Sequence, residues 1–336
     1  MALPPTQLRL LLVCAFLPLV VGAVDSAVLS MAGSSHWSGE MTFGVLALFL
    51  VQASAVSYAA GRWLPNWNWR LLLLGWLTLR VDLLLYSTSV VSHSDYGVRS
   101  ELLVVGFYAS QVSLAIIWGI LGSLEWRRRL AGAALAAAPA LQFLLQINAE
   151  RRYSTAAWLT VALVQAIGVV GICGLMRVLG YRIDNGPDTR SDGAALQFTI
   201  GHMLVWTVAA AIIVSVARQV GMYAPGQYGL REWMQLIIAG TVLAIVALVA
   251  MWMVLGAGRG IVTTVIALAI AASAGAFLWY LESRIAKGGT AYWLPFGGDW
   301  WLGWTLLAEP FLAGLLLVFS ATGYRLVWRR RIGGSA

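Results

Sequence analysis

Charge is what this chain lacks most. Only 11% of its 336 residues are Asp, Glu, Lys or Arg, against roughly 25% in an ordinary soluble domain. Lysine is almost missing: Lys287 is the single example among 22 basic residues, and the rest are arginines. With 60% hydrophobic residues, this scarcity excludes an ordinary soluble fold and indicates a polytopic membrane protein. Such a chain is counted in bilayer crossings of about 20 residues each. Cysteine is scarce too. Cys14 and Cys173 both fall inside apolar runs, which excludes a disulfide framework and a C-x-x-C metal site. Hydrolase and nucleotide motifs are absent: there is no GxSxG, HExxH or Walker GxxxxGK[ST], and no GxGxxG opening a helix after a strand. The net charge of +8 would suggest nucleic acid on a soluble protein. Here the arginines sit at the ends of apolar runs, where they anchor helices, and nucleic acid is not an expected partner.

What the chain does have is long apolar runs, and lipid offers no hydrogen-bond partners, so each run that crosses must be helical. Such runs cover residues 8–31, 41–60, 69–91, 102–124, 155–179, 198–220, 233–255, 261–281 and 301–324. A weaker one, 130–147, is interrupted by Pro139. Residues 8–31 read as a retained helix rather than a leader cut after Ala23, because the apolar stretch continues to Met31. The expected fold is all-α, a polytopic integral membrane helix bundle of about ten transmembrane helices. A first block of six helices spans 1–179, a polar cytoplasmic linker spans 180–197, and a second block of four helices spans 198–336. With ten crossings and both termini cytoplasmic, fourteen basic residues fall inside and seven outside, leaving Arg80 in the membrane. If 130–147 does not cross, Arg127, Arg128 and Arg129 change sides and the bias largely disappears. One short echo closes the sixth and tenth runs: Leu179-Gly180-Tyr181-Arg182-Ile183 and Thr322-Gly323-Tyr324-Arg325-Leu326, read as convergent anchoring at headgroup level.

Ionisable side chains inside a bilayer cost about 2.5–3.5 kcal/mol each on insertion scales, so they are the candidates for function. This chain offers Asp25, Arg80, Asp82 and Glu309. At about 1.5 Å rise per residue they lie roughly 9, 16, 13 and 12 Å below the expected outer ends, in one layer. Thr78, Asp82, Tyr86 and Ser89 form one polar stripe on the third helix. Arg80 is about 200° around that helix from Asp82 and must look to another helix, with Asp25 or Glu309 as its expected partner. Tyr108 and Gln111 share a face of the fourth helix, and Thr305 precedes Glu309 by one turn. One reading is a polar cavity in which Arg80 holds an anionic group and Asp82 or Glu309 exchanges a proton. The other is an interhelical ion pair that fixes packing. His36 and His93, near Glu40 and Asp95, make too weak a pattern for a metal site, and His202 reads as interfacial; neither metal nor cofactor is expected. Gly168, Gly171 and Gly174, and Ala267, Ala271 and Gly275, read as sites of close helix approach. Pro310 is expected to kink its helix beside Glu309.

The phrase Leu306-Leu307-Ala308-Glu309-Pro310-Phe311, together with the helix count, superficially resembles drug/metabolite transporters, which are built from two five-helix repeats. This chain lacks the five-plus-five duplication and carries Glu-Pro in its last helix, so that family's activity is not carried over. The segment QFTIGHMLVWT at 197–207, with the two GYR endings, is similar to uncharacterised multi-pass bacterial membrane proteins, which implies a bacterial inner (cell) membrane location and no activity. Three functions stay open: a small-solute transporter or permease using the charged layer, a membrane scaffold or assembly subunit with an unknown protein partner, and a membrane-embedded enzyme of lipid or envelope metabolism. The lipid bilayer is the partner common to all three.

Overall fold

The computed structural model describes residues 16–32, 39–64, 69–70, 73, 75–77, 79–80, 97–122, 129, 133, 137, 155–184, 230–256, 261–286, 301 and 304–328. These residues are overwhelmingly helical. In chain order they form α1 (Leu17–Ala32), α2 (Gly39–Trp63), α3 (Gly97–Leu121), α4 (Thr155–Val178), strand β1 (Tyr181–Asp184), α5 (Leu230–Leu255) and α6 (Ile261–Ala286). A π-helical turn (Trp304–Ala308), α7 (Glu309–Ala321) and strand β2 (Arg325–Trp328) follow. Among the described residues four helical stretches are long and apolar enough to cross a membrane: Thr160–Val178, Trp233–Leu255, Val262–Ser283 and Trp304–Ala321. The expected all-α membrane architecture holds at this level.

The outward faces are as apolar as the interior, which suits lipid and not water. On α6, Val262, Val265, Ile266 and Leu268 are exposed while Ala267, Ala271 and Leu278 are buried. Lipid supplies no hydrophobic drive between helices, so close packing and hydrogen bonds must hold the bundle. Small residues permit that approach. A Cβ on Gly240 would stand 2.6 Å from the Val164 Cβ, and one on Gly168 2.8 Å from that of Ala244. Of the glycines expected to mediate packing, Gly168 does so, whereas Gly171 and Gly174 face open space, because α5 meets only one side of α4. Ala267 and Ala271 are buried as expected.

The packing pairs also fix direction. Gly61 meets Ala321 and Val318 while Ser54 meets Gly314, so α2 and α7 run the same way. Gly106 meets Trp304 and Ala308, and Trp118 stacks on Phe319 at 4.3 Å, which aligns α3 with α7. Gln165 bonds to Ser113 and Arg177 to the Leu121 carbonyl, which aligns α4 with α3. Gly240 against Val164 and Gly168 against Ala244 align α5 with α4. α6 alone of this set runs the other way, its Leu278 and Glu282 lying beside Leu236 and Gln235 at the start of α5. α7 is the buried centre: Glu309, Phe311, Leu312, Leu315, Leu316 and Val318 are all inside.

Where the co-directional helices end, β1 and β2 pair antiparallel, with Tyr181 opposite Trp328 and Asp184 opposite Arg325. Each strand begins within one of the two echoed segments. Each echo carries a glycine in the left-handed region, Gly180 (φ 97°) and Gly323 (φ 90°). After α7 the cap is complete: Tyr324 N–H donates to the Phe319 carbonyl and Gly323 N–H to that of Ser320, while the Tyr324 and Phe319 rings pack edge to face at 6.2 Å. The repeat therefore leads the ends of α4 and α7 into strands that pair with each other. The expected linker at 180–197 opens with a strand, and its remainder from 185 lies outside the described residues. Gly122 joins this end through a bridge to Ile183.

Candidate functional site

The centre of the bundle holds a carboxyl. A π-helical turn carries one more residue per turn than an α-helix, and such turns recur at functional sites. Here the turn over Trp304–Ala308 delivers Glu309 as the first residue of α7. Pro310 follows Glu309 directly after the π-helical turn, so the proline, which cannot donate to the preceding turn, and the break in the helix coincide.

Glu309 is 0% exposed. Its Oε1 accepts a hydrogen bond of 2.8 Å from Nε2 of Gln165 on α4, and the same amide donates to Ser113 Oγ on α3 at 3.2 Å. Ser110 and Trp304 face the carboxyl as well, while Oε2 completes no hydrogen bond among the described residues. The serine hydroxyls are fixed in turn: Ser113 donates to the Ala109 carbonyl at 2.8 Å and Ser110 to that of Gly106 at 2.9 Å. One carboxyl thus ties together three helices through neutral partners.

A second buried carboxyl lies nearby. Glu282, 9% exposed near the end of α6, accepts a 2.9 Å bond from Trp301 Nε1. Beside it, Gln235, Leu278 and Leu281 line a cavity of about 20 Å³, space for one water molecule. Trp301 stacks on Trp304 with ring centroids 6.3 Å apart, so two indoles connect the Glu282 carboxyl to the Glu309 carboxyl. Among the described residues no three metal-ligating side chains gather.

The other expected site residues stand as follows. Arg80 is half-buried, donates from Nη2 to the Val21 carbonyl at 3.1 Å, and lies 5.3 Å over the Trp76 ring. That bond brings the third apolar run against α1, one turn before Asp25. Glu309 is held by Gln165 instead of Arg80. The Asp25 side chain and residues Thr78, Asp82 and Tyr86 lie outside the described residues, as do His93, Asp95, His202 and His36. Tyr108 and Gln111 on α3 and Thr305 in the π-helical turn are buried, with Thr305 donating to the Trp301 carbonyl at 2.8 Å. Sequence reasoning missed Gln165 and Glu282. Gln165 is a lone amide in an apolar run, and Glu282 lies just past the expected run 261–281, although α6 continues to Ala286.

No protein-family model matches the chain, nor does any curated protein or solved structure.

Proposed function

We propose that this chain is a ten-crossing membrane protein of the bacterial cell membrane that moves a small solute in exchange for, or together with, a proton carried by Glu309. The observation that carries the reading is the Glu309 carboxyl itself, enclosed at the centre of the bundle and held by a neutral amide. A permanently ionised carboxylate there would call for a cation against it, whereas a carboxyl that gains and loses a proton is served by Gln165, Ser110 and Trp304. Glu282 and its water-sized cavity supply the approach, and the Trp301–Trp304 pair separates the two carboxyls.

Ten crossings are supported by direction. α2, α3, α4, α5 and α7 all point toward the sheet, so the chain has to return between one and the next. α6 is the return between α5 and α7, and one return in each of the other three intervals, with α1 as the first crossing, would make ten. Both ends and the sheet then share one compartment. The arginines at the sheet end, among them Arg70, Arg129, Arg177, Arg182 and Arg325, support a cytoplasmic assignment for it.

The test uses proteoliposomes with a trapped pH dye, offered a panel of amino acids, sugars and organic cations. Wild-type protein should couple uptake of one class to proton movement, and Glu309→Gln should abolish the proton signal while remaining folded. Uptake with no proton movement in the wild type would remove Glu309 from the mechanism. A second reading rests on the enclosure of the same network: a scaffold in which Glu309–Gln165–Ser113 only locks three helices together. It predicts stoichiometric co-purification of a protein partner and no uptake of any panel member.

A further inference from the structure

At the sheet end two arginines reach one helix terminus and a third lies beside them. Arg129 is 9% exposed, and its Nη1 donates to the carbonyls of Ile120 at 3.1 Å and Gly122 at 2.8 Å. Its Nε, equally buried, has no hydrogen-bond partner among the described residues. Arg177 on α4 reaches the Leu121 carbonyl at 3.5 Å. Arg182 on β1 makes the third, and its charge acts on both of the others.

Three carbonyls at the negative end of a helix attract cations, but they carry only a fraction of one charge between them. No carboxylate among the described residues bonds to Arg129, Arg177 or Arg182. Asp184, the nearest acid in sequence, lies opposite Arg325 in the sheet and faces Tyr324. Burial first, and the charge of Arg182 second, hold the Arg129 guanidinium below its ordinary pKa, so the cluster is a place where positive charge is crowded and costly. Guanidinium forks of this kind match the oxygens of phosphate. The cluster also sits where three membrane-crossing stretches end, at Val178, Leu255 and Ala321, which is the level of lipid headgroups.

The geometry points to an anion site: Arg129, Arg177 and Arg182, at the ends of α3 and α4 and the start of β1, bind a phosphate group with Arg129 Nε as the inward donor. A phosphate monoanion would complete that donor and relieve the repulsion among the three cations. The source is either an anionic lipid headgroup or a free phosphate, and neither depends on the transport reading.

The test measures binding to the full-length protein in neutral detergent by native mass spectrometry and thermal shift. The probes are short-chain phosphatidylglycerol, short-chain phosphatidylcholine and inorganic phosphate. Arg182→Gln removes a cluster charge without breaking any described hydrogen bond. Arg325→Gln removes the same charge from the same end, outside the cluster. Arg182→Lys, which keeps the charge but not the fork, serves if Arg182→Gln does not fold. Phosphatidylglycerol binding in preference to phosphatidylcholine, weakened about tenfold by Arg182→Gln and within twofold of wild type in Arg325→Gln, supports the headgroup. The same variant pattern with inorganic phosphate alone supports a free anion. No saturable binding of either probe, or equal losses in Arg182→Gln and Arg325→Gln, overturns the site, since diffuse surface charge would then account for everything.

Discussion

Glu309 and Gln165 form a pair whose members tolerate change very differently. Glu309→Gln keeps size and hydrogen-bonding reach, so thermal stability should stay within about 1 kcal/mol of wild type while proton exchange is lost. Gln165→Leu strands a fully buried carboxyl and should cost about 1–3 kcal/mol, read as a lower unfolding midpoint in detergent. If Glu309→Gln is the more damaging of the two, the neutral-donor picture of the site fails. At this scale the sequence was legible in one direction only. An ionisable group inside an apolar run stands out because charge is costly in lipid, and that found Glu309 and Arg80. An amide costs less and leaves no such mark, so Gln165 was passed over. Glu282 was misplaced because a charge at the edge of an apolar run normally ends the helix, and here Trp301 lets it be buried instead. Arg80 found the indole face of Trp76, four residues earlier in the same run, and a backbone carbonyl on α1 that no residue pattern announces.

Helix contacts and caps rest on a few small residues, and their substitutions separate sharply. Gly240→Ala places a methyl where Val164 already stands and should cost about 1–3 kcal/mol by overpacking. Gly171→Ala, with nothing within 4 Å, should be neutral or raise stability by up to about 1 kcal/mol through helix propensity. Thermal unfolding of the two variants side by side checks the pair, and equal effects would refute the α4–α5 contact. Gly323→Ala forces a side chain into the left-handed region and should cost about 1–2 kcal/mol and loosen β2, seen as faster amide exchange over Arg325–Trp328. Small-residue spacing was visible from the start, but which side of a helix meets a neighbour depends on where that neighbour lies. The repeated GYR ending was visible also. Its strand pairing was not, because four residues are too few to show an alternating period beside helices of 24 and 13 residues.

At the scale of the whole molecule, five helices among the described residues share one direction and converge on a two-stranded clasp, with the carboxyl pair toward their other end. Apolar runs made the helical membrane class readable, since composition and lipid thickness alone decide it. Neighbour relations were beyond the sequence, because lipid-facing and helix-facing positions are equally apolar and the pattern has no contrast. The central claim is that α4 and α7 end in the same compartment and that the chain re-crosses between them. Single cysteines placed at Arg190, Ser335, Ser154 and Thr290, in a background lacking Cys14 and Cys173, test it directly with a membrane-impermeant thiol reagent on intact cells. The account predicts that Ser154→Cys and Thr290→Cys react from outside while Arg190→Cys and Ser335→Cys react only after the membrane is opened. Labelling of Arg190→Cys and Ser335→Cys from opposite sides would contradict it.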